Sequence, residues 1–257
     1  MQQLTEPFAY GNSIIHSMHP GFRLACAFIF SLAGALVTDI TPACCVLLAG
    51  VIYALSALLS FKLLLKRLVV INFFILFLWI FLPFSRPGTP LFNIGPFTAT
   101  LEGIIYTAVI TLKSNGIILA VTALIATMPV QTLGAGMQTL KFPDKLCRLL
   151  LFSWRYVHVM IMEYTRMRRA AAMRGFTPRS SARTYRTYAW LMGMLLVRSL
   201  DRAERVWQAM LCRGFTGTFH SLTAYRISRK DLALLAVTMG FIVLFIFLEF
   251  NKIEVLL

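Results

Sequence analysis

Five apolar runs set the limits on what this chain can fold into: Leu24–Thr38, Ala43–Ser60, Leu68–Phe84, Gly103–Met128 and Leu232–Leu248. Hydrocarbon offers no partners to backbone N–H and C=O groups, so runs of this kind cross a bilayer as helices that bond internally. The first is short, reaching roughly 22 Å at the helical rise. It therefore has to start near Pro20, let Arg23 snorkel, or sit where the bilayer thins. Asp39-Ile40-Thr41-Pro42 reads as a tight turn between the first two runs, because Pro42 suits a helix start and Asp39 is expensive in lipid. Arg86-Pro87-Gly88-Thr89-Pro90 opens the other extended loop, and Gly95-Pro96 closes it. Of the 257 residues 58% are hydrophobic and 14% charged, which excludes an ordinary soluble domain. Five cysteines with no C-x-x-C argue against a disulfide scaffold and a structural zinc site. Residues 1–22 carry no Lys or Arg, so no cleavable signal peptide is expected and the first span stays in the protein. The expected fold is an all-α integral membrane protein with about five transmembrane helices plus long cytoplasmic amphipathic helices.

The charge is as uneven as the hydrophobicity. Between Lys141 and Lys230 lie 18 of the 25 basic residues and four of the ten acidic ones (Asp144, Glu163, Asp201, Glu204), a net +14. Cytoplasmic flanks of membrane proteins are rich in Lys and Arg, which places this region inside. Lys62, Lys66 and Arg67 then fall on the same side, Arg86 and Lys252 on the other, with the N-terminus in and the C-terminus out. The expected organisation is a four-helix membrane domain over residues 1–130, a basic cytoplasmic region over 131–230, and a final span in 231–257. Within the basic region Leu149–Met162 and Thr187–Val197 are too short to span and read as interfacial helices. Arg198, Asp201, Arg202 and Arg205 then share one helical face, while Ala203, Val206, Trp207 and Met210 share a packed one.

Two stretches of that region end alike, in Ala172-Met173-Arg174-Gly175-Phe176-Thr177 and in Leu211-Cys212-Arg213-Gly214-Phe215-Thr216. Gly after a helical run takes the left-handed position that stops the helix, and Arg in the last turn complements the negative end of the dipole. A helix stop requires the Gly and not a second Arg-Gly-Phe-Thr, so the pair points to function. Two guanidinium tips suit carboxylates or carbonyls on two copies of one partner. Lys113 and Asn115 are intramembrane polar candidates near the middle of the fourth span. The alternative for Lys113 is a packing role, bonding carbonyls or the Ser114 hydroxyl inside the bundle. His16 and His19 form a possible ligand pair with no third ligand nearby, so no metal site is assigned to this chain. Cys147 and Cys212 read as reduced packing residues.

At these positions the chain resembles the T component of energy-coupling-factor transporters, within it the cobalt and nickel branch, the CbiQ family, over almost its whole length. The endings around Arg174 and Arg213 are similar to the family's two Ala-Arg-Gly motifs, with Met173 and Cys212 in place of Ala. The stretch Gly11-Asn12-Ser13-Ile14-Ile15-His16-Ser17-Met18-His19-Pro20-Gly21-Phe22-Arg23-Leu24 is similar to the family's Asp-Pro-Arg-x-Lys start of the first span, with His19 for Asp, Gly21 for Arg and Arg23 for Lys. Lys113-Ser114-Asn115 and Trp154-Arg155-Tyr156 also resemble that branch. The resemblance implies a non-catalytic scaffold in an importer of the prokaryotic cytoplasmic membrane. Coupling helices ending at Met173-Arg174-Gly175 and Cys212-Arg213-Gly214 would dock on two cytoplasmic ABC-type ATPases and pass their closure to a separate metal-binding membrane subunit. ATP and Mg would be bound by the ATPases, and cobalt or nickel by that subunit, with no cofactor in this chain. The sequence contains no G-x-x-x-x-G-K-[ST] phosphate loop.

Two other readings compete. A classical ABC importer permease would form its own pathway, but Arg169 stands where the Glu of its Glu-Ala-Ala-x-x-x-Gly loop belongs, and it would not explain the second copy at Arg213. A membrane-tethered basic module binding anionic lipid or nucleic acid accounts for the charge and not for the repeat. For the topology, Gly88→Cys is expected to react with impermeant thiol reagents only from outside and Ser181→Cys only from the cytoplasm. The reverse labelling pattern would invert the assignment.

Overall fold

In the computed structural model, residues 13, 15–85, 87, 89–94, 97–216 and 228–256 are described. The loop markers Arg86, Gly88 and Gly95-Pro96 and the N-terminal Gly11-Asn12 and Ile14 lie outside them. Helices α1 (Pro20–Leu36), α2 (Ile40–Ser56) and α3 (Phe61–Ser85) are followed by strands β1 (Pro90–Ile94) and β2 (Phe97–Thr100). Then come α4 (Leu101–Val121), α5 (Val130–Thr139), α6 (Asp144–Met173), α7 (Ala182–Cys212) and α8 (Arg229–Leu256). The protein is an all-α membrane chain with one short antiparallel hairpin, β1–β2, in a loop. Residues 141–216 pack as one compact unit, and the described residues up to 140 pack with those from 228 onward as another.

In the second unit, α3, α4 with its extension to Ala126, and α8 are long and apolar enough to cross a membrane, while α1 and α2 are shorter apolar helices of 17 residues each. The first span starts at Pro20, one of the three alternatives its short run left open, with His19 as N-cap accepting the Gly21 N–H on Nδ1 (3.1 Å). Arg23 does not snorkel. In the first turn of α1 it points inward, only 2% exposed, and donates to the Thr127 hydroxyl just beyond α4. The third span starts at Phe61 rather than Leu68, taking Lys62, Lys66 and Arg67 into its first turns, where long stems can carry their charges to the interface. The fourth ends in a π turn, Thr122–Ala126, which apolar periodicity does not reveal.

Bare backbone forms the tightest contact. A Cβ on Gly116 of α4 would lie 2.6 Å from the Val46 carbonyl oxygen of α2, and one on Gly50 of α2 would overlap the Gly116 carbonyl. Around it Phe30 of α1 meets Tyr53 of α2 edge to face at 5.6 Å and Phe245 of α8 at 5.8 Å. The Tyr53 hydroxyl bonds Thr238 of α8 at 2.9 Å, leaving no polar atom stranded in this cluster. α8 is tied to the start of α1 by Asp231, whose carboxylate accepts the Ser228 N–H, as the acid of a capping box does, and the His19 N–H, both at 2.7 Å. α3 packs chiefly on α4 and shows Phe73 and Phe74 outward, as a lipid-facing helix should.

In the first unit the expected long amphipathic helices are present, and the two short stretches marked in sequence are parts of them. Leu149–Met162 belongs to the 30-residue α6, and Thr187–Val197 runs without a break through the amphipathic stretch after Arg198 in the 31-residue α7. No Pro interrupts either, and the single Gly193 costs only about 1 kcal/mol against Ala.

Gly116→Ala is expected to lower the thermal midpoint of the detergent-solubilised protein, by about 1–3 kcal/mol of overpacking. Gly240→Ala in α8, where a new Cβ meets nothing within 4 Å, is the control and should be neutral or stabilising. Equal midpoints for the two variants would remove the α2–α4 contact from its central place.

Candidate functional site

Both repeated endings adopt the same local structure, and the hydrogen bonds show why. At the end of α6 the Phe176 N–H bonds the Ala171 carbonyl (3.1 Å) and the Gly175 N–H bonds Ala172 (3.0 Å). At the end of α7 Phe215 bonds Met210 and Gly214 bonds Leu211, each at 3.0 Å. These are paired Schellman closures, and they need the left-handed backbone that Gly175 (φ +79°) and Gly214 (φ +76°) supply. Arg174 and Arg213 are the C-cap residues, and both are exposed. Met173, 83% exposed, and Cys212, also exposed, precede them. Cys212 is thus no packing residue, since its place on the last turn leaves it uncovered. Cys147 is fully buried, and that burial pushes its thiol up.

The phenylalanine that follows each Gly is seated on an aromatic ring, though from different sources. Phe176 meets Tyr188 of the neighbouring α7 edge to face at 5.7 Å, and Phe215 meets Trp207 of its own helix at 6.2 Å. Both rings anchor the chain just beyond an Arg, which limits how far each tip can turn. This explains the Arg-Gly-Phe part of the repeat: charge, left-handed stop, anchor.

Along their length α6 and α7 are joined by a charged contact that the sequence did not announce. Glu163 of α6, buried, accepts a close hydrogen bond from Arg198 of α7 and a second from Arg166 at 3.3 Å. The bonded Arg198 guanidinium, with Arg166 and Arg202 adding favourable charge, holds the carboxyl below its ordinary value against the opposing effect of burial. A depressed folded-state pKa means that this contact contributes fully above the unfolded carboxyl value and is lost only as pH falls through the folded one, so it persists at neutral and mildly acid pH. Arg202, assigned from sequence to the wet face of α7, instead lines an apolar cleft with Phe152 and Tyr156 of α6.

The intramembrane candidates part company. Lys113 donates from Nζ to the Val37 (3.2 Å) and Ala35 (3.3 Å) carbonyls, which are among those left without helical partners at the end of α1. Asn115 makes a reciprocal amide pair with Asn72 of α3, at 2.9 and 3.0 Å, and also bonds the Thr111 carbonyl. One residue holds α1 and the other holds α3, so they do not form a joint site. Asn72 was missed in sequence although a lone amide within an apolar run is a signal, and so was the Ser228-x-x-Asp231 capping box. Glu163 carried no signal, being one acid among many bases. His16 bonds Ser13 through Nδ1 (2.7 Å), and His19 caps α1. Among the described residues no three His, Cys, Asp or Glu side chains converge.

With this geometry in hand, comparison with known proteins is specific. Residues 11–225 match the family CbiQ, described as cobalt transport protein. The chain is 28% identical over 254 residues to the energy-coupling factor transporter transmembrane protein EcfT of Leuconostoc gelidum subsp. gasicomitatum, covering 93% of this chain and 94% of that one. It is 24% identical over 216 residues to the EcfT of Heliobacterium modesticaldum, covering 80% and 81%. To the nickel permease LarQ of Lactiplantibacillus plantarum it is 31% identical over 121 residues, 47% of this chain and 44% of that one.

Gly175→Ala and Gly214→Ala meet open space at the new Cβ, so their effect is conformational alone, roughly 1 kcal/mol each. Each is expected to speed hydrogen exchange at the following amide, Phe176 or Phe215, and wild-type exchange at both would mean that the closures do not depend on glycine.

Proposed function

The chain belongs to the CbiQ family and is a membrane T component of an energy-coupling-factor transporter, and from that premise we propose that it couples two cytoplasmic ATPases to the import of cobalt or nickel ions. The observation that carries the coupling role is the recurrence of one built tip: the same Arg, the same left-handed Gly and the same seated Phe end α6 and α7, two helices joined through Glu163 and Arg198. A scaffold that meets the same partner twice needs the same contact surface twice. Arg174 and Arg213 each pair with a carboxylate or carbonyl on one ATPase subunit, Gly175 and Gly214 set their aim, and Met173 and Cys212 lie against the partner beside them.

ATP and Mg stay with the ATPases, which do the chemistry. This chain is non-catalytic: when the ATPases close, the two tips are displaced and the rigid helices carry that displacement on to a separate membrane subunit that binds the metal. Cargo identity rests on the family's description as cobalt transport protein and on the relative named nickel permease. Ions so alike in size and charge are told apart by the identity and geometry of the atoms that coordinate them, which this reading places in the other subunit. Lys113 and Asn115 serve the scaffold by holding α1 and α3 to α4. The setting is the prokaryotic cytoplasmic membrane.

Truncating a desolvated, hydrogen-bonded guanidinium at an interface costs about 2–5 kcal/mol. The Arg174→Ala, Arg213→Ala double variant is therefore expected to insert and purify normally, to lose ATPase subunits on copurification, and to abolish ATP-driven metal uptake in the reconstituted complex. Each single variant should weaken both. Wild-type copurification and uptake in the double variant would leave the two motifs as helix stops.

A further inference from the structure

Beside the first tip the structure holds more than an arginine. The end of α6, the linker 174–181 and the first half of α7 enclose an open groove of about 1030 Å³. Arg174, Arg179 and Arg183 line it together with the apolar Met167, Trp190 and Met194, and no carboxylate among the described residues lines it. Arg198 lines it as well, and its charge is already matched by Glu163. Three exposed guanidinium groups around an unmatched concavity repel one another unless an anion enters.

The walls are held in place without an occupant. Ser181 caps α7 by accepting the Thr184 N–H, and the buried Thr184 hydroxyl accepts the Arg179 N–H at 3.2 Å. The Ser181 N–H bonds the Arg179 carbonyl at 2.8 Å, and Phe176 is seated on Tyr188. A linker so fixed meets its ligand at little ordering cost.

We infer that this groove receives a short acidic, amphipathic segment of one ATPase subunit, its carboxylates on Arg179 and Arg183 and its apolar side on Trp190 and Met194. The inference rests on the coupling role proposed above, and two observations choose the occupant. Charge complementarity calls for carboxylates, which planar guanidinium groups take in paired hydrogen bonds. Arg174 also belongs at once to the proposed tip contact and to the groove wall, so a partner seated on the tip is already at the groove's edge. Arg179 and Arg183 then add partner specificity at the first tip, beyond the motif that the two tips share.

The test uses the full-length chain in detergent and the purified cognate ATPase subunits. R179E/R183E is expected to weaken ATPase binding about tenfold or more, R179K/R183K to retain most of it, and rising salt to bring wild type toward the reversal variant. Should charge reversal disturb the start of α7 by circular dichroism, R179Q/R183Q carries the same expectation. Wild-type ATPase affinity in R179E/R183E and R179Q/R183Q overturns the inference. If R174A/R213A then still loses the ATPase, the coupling tips stand and only the groove assignment falls; if it binds normally, both fall. Flotation with phosphatidylglycerol and phosphatidylcholine vesicles separates the other source of anions: a reversal variant that loses phosphatidylglycerol binding while keeping the ATPase assigns the groove to lipid and overturns the inference.

Discussion

The membrane bundle depends on two helices touching backbone to backbone. Lipid tails are as apolar as Leu, so burying apolar side chains does not draw helices together inside a bilayer, and close packing has to do so instead. Gly50 and Gly116 allow it, and the small or β-branched residues around them, Val46 and Ala49 on α2 and Ala120 on α4, are fully buried. With α4 pinned in this way, its neighbours take their places from its helical phase. Lys113, three residues before Gly116, reaches the free carbonyls ending α1, while Asn115 turns to α3. A Cβ at Gly116 would move all three contacts together, which no substitution at Lys113 or Asn115 alone would do.

α3 also meets the start of α4 backbone to backbone, where a Cβ on Gly103 would lie 2.8 Å from the Pro83 carbonyl oxygen, and further along the two are joined by side chains. Beyond its basic first turns its sides are mostly apolar and largely uncovered, and its side-chain hydrogen bonds to α4 are the Asn72–Asn115 pair and Trp79 donating to Thr111 at 3.0 Å. On α4 the acceptors are arranged by back-bonding, Thr107 to Gly103, Thr111 to Thr107 and Asn115 to Thr111, four residues apart along one face. Interhelical hydrogen bonds in membranes are worth only about 0.6 kcal/mol on average, so these links set rotation and register more than they add stability.

What could be read from sequence follows from how local its cause is. Apolar runs mark spans because hydrocarbon acts on composition, and Gly175 and Gly214 were legible because a left-handed stop is a property of single residues. Starts of helices were misplaced where a charge lies inside the first turn, as with Lys62 and Arg23, since hydropathy cannot tell a snorkelling stem from one turned inward. Long helices were expected here, but the bounds of α6 and α7 escaped because their apolar stretches are broken by charges, and charges interrupt hydropathy without interrupting a helix. Glu163 was illegible for a stricter reason: only packing reveals which of many arginines faces this buried acid. The Lys113 alternative, a cation bonding carbonyls inside the bundle, is the geometry found, although sequence offered no means of naming Ala35 and Val37.

In the coupling role proposed for it, a repeated tip is useful only if displacement at one end is felt elsewhere, and the two long helices have the construction for it. Glu163 lies ten residues from the end of α6 and Arg198 fourteen from the end of α7, roughly 15 and 21 Å along helices that no Pro interrupts. A helix closed by a Schellman turn does not fray readily at its last carbonyls, so force on Arg174 or Arg213 moves the helix as a body rather than unwinding its end. Among the links between the two helices is a charged contact, buried on the Glu163 side and about half exposed on the Arg198 side. Burial on one side keeps the carboxylate where it is, and exposure on the other lets the arginine stem follow a change in crossing angle without leaving its partner. A fully buried pair would resist such a change and a fully exposed one would be too weak to transmit it. The half-buried contact therefore fits a joint between levers better than a clamp between fixed struts.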